Sequence, residues 1–130
     1  MIPDDRREPR AKPGDETFAK QERLIKTKDF RKVYKNGRSY RAGVVVLRSL
    51  PNAAPTNRVG FSISAKSIKR AFRRNRIKRL FREAYRRNKN ILKKGFDIVF
   101  VVRRDCRRGF SYAEAQKLFL DLSKQAGILL

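Results

Sequence analysis

Histidine is absent from this chain, cysteine occurs once, and acids are scarce, with 12 Asp and Glu against 35 Lys and Arg in 130 residues. Without histidine the chain lacks the commonest general acid–base and zinc-binding side chain, and a lone thiol excludes an intrachain disulfide. Arg103, Arg104, Arg107 and Arg108 would favour the thiolate of Cys106, yet no histidine stands by as its base, and the thiol reads as an incidental loop residue. Beyond residue 16 the acids are Glu22, Asp29, Glu83, Asp97, Asp105, Glu114 and Asp121. They are too dispersed for the carboxylate clusters with which nucleases hold Mg²⁺. No apolar run approaches the roughly 18 residues of a membrane span, and the N-terminus has no signal-peptide-like apolar stretch. A soluble, cytoplasmic protein with no metal site and no catalytic centre of its own is expected.

Positive charge is what the chain has in excess. A formal net charge of +23 and a pI near 11.3 exceed what solubility requires and point to a polyanion, above all nucleic acid. Five acids, Asp4, Asp5, Glu8, Asp15 and Glu16, fall in the first sixteen residues, so the rest of the chain is almost purely basic. Residues 1–17 also carry Pro3, Pro9, Pro13 and Gly14 and almost nothing apolar. A flexible tail is expected there, because so little burial cannot offset the entropy of ordering. Residues 18–130 suffice for one domain with a real core.

Periodicity outlines the elements. Thr27 as a cap, Asp29 in the first turn, Phe30, Val33 and Tyr34 on one face and Asn36-Gly37 as a stop predict a short helix. Tyr40 to Leu50, rich in β-branched residues, reads as a strand, and Pro51, Asn52 and Pro55 mark a loop. Arg58 to Ser64 alternates Val59, Phe61 and Ile63 with Gly60, Ser62 and Ser64, as a half-buried strand does. A long helix is expected from about Ser67–Lys69 to Asn88. Asp97 then leads into an unbroken apolar strand to Val102, suited to burial on both faces. Ser111-Tyr-Ala-Glu114 opens a last amphipathic helix with a capping box. The sum is a compact α/β domain.

The long helix carries the sharpest signal. From Lys66 to Arg82 there are nine Lys and Arg and no acid. Even so, Ile77, Leu80, Phe81, Ala84 and Tyr85 keep the spacing of one buried stripe, which leaves Asn75, Arg79, Arg82 and Arg86 opposite, with Lys78 on the flank. Like charges at i, i+3 and i+4 cost a helix about 0.2–0.5 kcal/mol per pair, a cost that a bound polyanion removes. The guanidinium forks of Arg73, Arg74, Arg76 and Arg79 suit phosphate oxygens. Asn75 is either a specific contact within this cationic row or an ordinary surface residue. Phe30 and Tyr34, four apart, are either core or a platform on which unpaired bases stack, at about 1–3 kcal/mol each. Spacing alone does not choose.

Four blocks carry a resemblance: Arg23-Leu-Ile-Lys-Thr-Lys-Asp-Phe-Arg-Lys-Val-Tyr-Lys-Asn-Gly37, Arg58-Val-Gly-Phe-Ser-Ile-Ser64, Arg74-Asn-Arg-Ile-Lys-Arg-Leu-Phe-Arg-Glu-Ala-Tyr85 and Gly95-Phe-Asp-Ile-Val-Phe100. In order and spacing, over roughly residues 22–125, the chain resembles the bacterial ribonuclease P protein component. That family's protein is the small basic subunit of the ribonucleoprotein that removes the 5′ leader from precursor tRNA. The resemblance implies a single-domain, two-layer α/β sandwich, a small mixed sheet with helices packed on it in the order α-β-β-β-α-β-α. It further implies that the basic helix lies in a left-handed crossover between parallel strands, against the usual right-handed rule. Catalysis would reside in the RNA subunit, with no catalytic protein residue. Mg²⁺ would be held mainly by RNA and not tightly by the protein.

By the same resemblance Arg73, Arg74, Asn75, Arg76 and Arg79 contact the RNA subunit. Phe30, Tyr34, Lys78 and Arg82 would face a groove that holds the single-stranded leader. Where many members carry a groove-facing aromatic on the first strand, the match sets Arg48. Either the register differs there or leader contact is more electrostatic in this chain. The N-terminal extension is longer than usual for the family. The implied partners are ribonuclease P RNA and precursor tRNA, with no membrane and no obligate protein partner, in the bacterial cytoplasm. The implied function is to raise substrate affinity and lower the Mg²⁺ requirement of leader removal. Two other classes share the charge. A structural RNA-binding protein, such as a small ribosomal protein, would bind RNA without promoting cleavage, and a DNA-coating protein would not prefer RNA to duplex DNA.

Overall fold

The computed structural model describes residues 20–104 and 109–130; the expected tail, residues 1–17, and Cys106 lie outside the described residues. Helix α1 spans Thr27–Asn36. Its N-cap is Lys26, with no side-chain cap, so Thr27 is the first helical residue rather than the expected cap. The helix ends where the backbone turns extended at Gly37, whose amide donates to the Val33 carbonyl, and only glycine fits at that position. A Cβ there would lie 2.5 Å from the Val33 carbonyl oxygen and 2.9 Å from that of Ser49.

The stretch expected as one strand, Tyr40–Leu50, is divided by a reversal. Strands β1, Arg38–Ala42, and β2, Val45–Pro51, form an antiparallel hairpin about Gly43, whose φ of +59° suits glycine. A single glycine in a β-branched run reads equally well as a bulge, and pairing decides. Then come β3, Arg58–Ile63, helix α2, Ala71–Asn88, β4, Phe96–Val102, and helix α3, Tyr112–Gln125. Helix α2 starts later than Ser67–Lys69 because a turn forms first, with the Ser67 and Ile68 amides donating to the Ser64 carbonyl. The capping box at Ser111 and Glu114 is formed as expected.

The sheet order is β1-β2-β4-β3, with β4 antiparallel to β2 and parallel to β3. Helix α2 therefore lies on a crossover between parallel neighbours. On one face, Ile98, Phe100 and Val102 of β4, with Val45, Leu47 and Val59, pack against Ile77, Phe81, Ala84 and Tyr85 of α2 and Ala115, Phe119 and Leu122 of α3. The Phe100 ring lies 5.2 Å from Phe119 and 5.9 Å from Phe81. Each buried Val, Leu, Ile or Phe side chain here contributes about 1.5–3 kcal/mol. On the other face Val99 meets Leu24 and Val33, flanked by Phe30, Leu50 and Val101. Both faces of β4 are thus covered, as its unbroken apolar run requires.

Two ionic ties hold α1 and its leading segment on this scaffold. Asp97, 4% exposed, accepts from Arg58 Nε at 2.9 Å, Arg58 Nη2 at 2.7 Å and Asn52 Nδ2 at 2.9 Å, while Arg58 Nη1 reaches Asp29 at 3.4 Å. The Tyr85 hydroxyl donates to Glu22 at 2.8 Å, and Lys89 Nζ meets the other Glu22 oxygen at 2.9 Å. Burial, followed by the adjacent Glu22 carboxylate, pushes the Tyr85 phenol far above the ordinary tyrosine range.

Candidate nucleic-acid interface

Because one side of α2 is locked into the core, its cations point in fixed directions. Phe72, Asn75, Arg76 and Arg79, at i, i+3, i+4 and i+7, are all exposed and form its outer face. Arg73 and Arg74 are half-buried. Arg74 turns back on the preceding turn, its Nη1 donating to the carbonyls of Ile68 at 2.7 Å and Lys69 at 2.9 Å. It braces the start of the helix, which its place in a cationic row did not reveal. Arg76 Nη2 donates to the Phe110 carbonyl at 3.4 Å, and the residue remains exposed.

At the far end of α2 the charge is answered from within. Glu83 accepts from Arg86 Nε at 2.9 Å and Nη2 at 2.6 Å, and from Arg87 Nε at 2.8 Å. These hydrogen bonds, that of Arg86 foremost, hold the Glu83 carboxyl down at about 2. Arg86, expected on the open face, is therefore half-buried and engaged by an acid.

Lys78 and Arg82 lie on a different flank. With Arg23, Leu24, Ile25, Phe30, Gly60 and Phe61 they line a cavity of about 150 Å³. A Cβ at Gly60 would come within 2.5 Å of Phe30 Cζ, so the Phe30 ring rests directly on the β3 backbone. Phe30 is half-buried, and the alternatives of core and platform merge, since the ring packs on Gly60 and still borders the cavity.

Strand register arranges the rest of the groove. Ser39, Arg48, Val99 and Gly60 form one row across the α1 side of the sheet, and Arg41, Val46, Val101 and Ser62 form the next. Arg48 therefore occupies the groove face. Its guanidinium carbon sits 5.3 Å from the Tyr34 ring centroid, and its Nη1 donates to the Tyr34 carbonyl at 3.1 Å, an arrangement that orients the ring by cation–π attraction. Tyr34, Ser39, Arg41, Val46, Arg48, Val101 and Arg103 line a second concavity of about 300 Å³. Phe30, Lys78 and Arg82 thus gather in one hollow, and Tyr34 and Arg48 in another. Neither lining contains an acid.

Ile25, Arg41 and Arg103 were not among the expected site residues. Continuing the alternation of β4 through Asp97, Val99 and Val101 would have found Arg103, whereas Arg41 joins Arg48 only through the hairpin register. Among the described residues, no group of three His, Cys, Asp or Glu side chains could hold a metal ion, and no helix is long and apolar enough to cross a membrane.

A family model described as Ribonuclease P matches residues 18–127. The ribonuclease P protein component of Alkaliphilus oremlandii is 40% identical over 107 residues, covering 82% of this chain and 92% of that protein. Among solved structures, the Staphylococcus aureus RNase P protein at 2.0 Å superposes with a TM-score of 0.75 at 27% identity, over 84% of this chain and 98% of that one. The Thermotoga maritima RNase P protein, in complex with 1-(4-fluorophenyl)-2-thiourea, gives 0.73 at 33% identity, over 79% and 98%.

Proposed function

The chain belongs to the bacterial ribonuclease P protein family, and on that premise we propose that its two basic surfaces divide the work of a tRNA-processing ribonucleoprotein. The outer face of α2, with Asn75, Arg76 and Arg79, binds the ribonuclease P RNA. Arg73 adds charge beside it, and Arg74 fixes the turn from which the face projects. The groove beside α1 takes the single-stranded 5′ leader of precursor tRNA. There Phe30 and the Tyr34–Arg48 pair offer stacking surfaces, and Lys78 and Arg82 answer phosphates. The observation that carries this reading is that Lys78 and Arg82 line the hollow with Phe30, whereas Arg76 and Arg79 are exposed and line neither hollow.

The physics is that of two polyanions brought together. A catalytic RNA and an RNA substrate repel each other, and repulsion within a Debye length, about 8 Å at physiological salt, is relieved by a cationic protein set between them. Less Mg²⁺ is then needed to screen the junction. In this reading catalysis and its Mg²⁺ ions belong to the RNA subunit, and the protein contributes charge and positioning. A mature tRNA lacks the leader and loses the groove contacts, so precursor is held more tightly than product.

The test is cleavage of precursor tRNA by a bacterial ribonuclease P RNA at low Mg²⁺, with and without this protein. Accurate 5′ cleavage that appears only with the protein is expected. Tight RNA binding without a gain in cleavage would replace this reading with a structural RNA-binding role.

A further inference from the structure

Phe72 is the most exposed aromatic ring among the described residues, at 61%, and it stands on the outer face of α2 beside Asn75, Arg76 and Arg79. Phosphate contact gives no reason for it, because a hydrocarbon ring offers nothing to an anion. Nor is it left there by a loose helix end. The Arg73 and Arg74 amides donate to the Arg70 carbonyl at 3.1 and 3.2 Å, and the Arg74 side chain ties the same turn to Ile68 and Lys69. The backbone that carries the ring is fixed before any partner arrives, which lowers the ordering cost of binding.

We propose that Phe72 stacks on an unpaired base of the ribonuclease P RNA, so that the outer face of α2 reads a splayed nucleotide as well as backbone charge. The proposal rests on the assignment of this face to the RNA subunit. The ring has guanidinium groups beside it and no acid between Lys66 and Glu83. This is the pairing a nucleotide requires, a flat surface for the base next to cations for its phosphates. A duplex hides its base faces within the stack, so the occupant is an unpaired base in a loop, bulge or junction. Arg76, at i+4, takes a neighbouring phosphate.

The experiment measures equilibrium binding of the full chain to a ribonuclease P RNA transcript across a series of salt concentrations. The unmodified protein is compared with Phe72→Ala, Phe72→Leu, Phe72→Trp and Arg76→Ala. The ring is exposed, so these substitutions leave the core untouched. Phe72→Ala and Phe72→Leu are expected to weaken binding about fivefold to a hundredfold while leaving the slope of log K against log salt unchanged. Phe72→Trp should bind as the unmodified chain does, and Arg76→Ala should make the slope shallower by about 0.7–0.9. A Phe72→Leu protein that binds normally would overturn the proposal, because apolar bulk would then suffice. Unchanged binding by Phe72→Ala as well would also overturn it and leave the ring to a protein surface. If the unmodified chain does not bind the transcript, the assignment of the α2 face to RNA fails instead.

Discussion

Side chains of one type serve different ends in this protein according to what lies within reach. Arg74 and Arg79 are both arginines of α2, yet Arg74 is spent on two carbonyls of its own turn and Arg79 is exposed. Arg74→Ala should therefore lower thermal stability by about 1–2 kcal/mol, the scale of lost charged hydrogen bonds at a half-exposed site, as well as weaken RNA-subunit binding. Arg79→Ala should weaken binding with no change in melting temperature. Parallel melts and binding curves check the contrast. In the groove, Phe30→Ala removes a ring that rests on Gly60. Its expected outcome is a loss of precursor affinity of about fivefold or more, on the scale of one stacked base, with RNA-subunit binding intact. Gel-shift titrations with precursor and with the RNA subunit alone check it, and equal losses with both ligands would contradict the division between the two surfaces.

Elements are held in place by a few partly buried ionic ties as well as by apolar packing. Arg58 joins α1, through Asp29, to the buried Asp97 of β4. Arg58→Ala would leave the Asp97 carboxylate buried with Asn52 alone, at an expected cost of about 2–3 kcal/mol in denaturant unfolding, below the full cost of breaking a wholly buried pair because Arg58 is partly exposed. On α2, the Arg86 hydrogen bonds hold the Glu83 carboxyl at about 2 against an ordinary 4.5. The folded state thus favours the ionised form. The stability this supplies is present above pH 4.5 and lost as pH falls toward 2. The melting temperature of the unmodified protein should accordingly drop more between pH 4.5 and 2 than that of Glu83→Gln, as calorimetry would register.

For the molecule as a whole, a net charge of +23 dominates association. Binding to the RNA subunit should weaken steeply with salt, by about 0.7–0.9 in log–log slope for each phosphate neutralised. The slope measured for the intact chain counts those phosphates, and Arg79→Ala should reduce it by close to one contact. A flat salt dependence would be incompatible with the proposed role of charge at the RNA–RNA junction.

One dimension was enough to point to a polyanionic partner and to show the order of elements, the buried stripe of α2, the doubly covered β4 and the family resemblance. Composition, hydrophobic period and ordered motif blocks are local or additive properties, legible along the chain. Folding in three dimensions was needed to show that Tyr40–Leu50 belongs to a hairpin, that Arg41 and Arg103 join Arg48 at Tyr34, that Arg74 turns inward, and that Phe30 lies on Gly60 beside Lys78 and Arg82. Each of these depends on strand register or on approaches between side chains and backbone that no periodicity records. A shift of one residue in pairing would move every side chain of a strand to the opposite face, and the period of a strand is the same in either register.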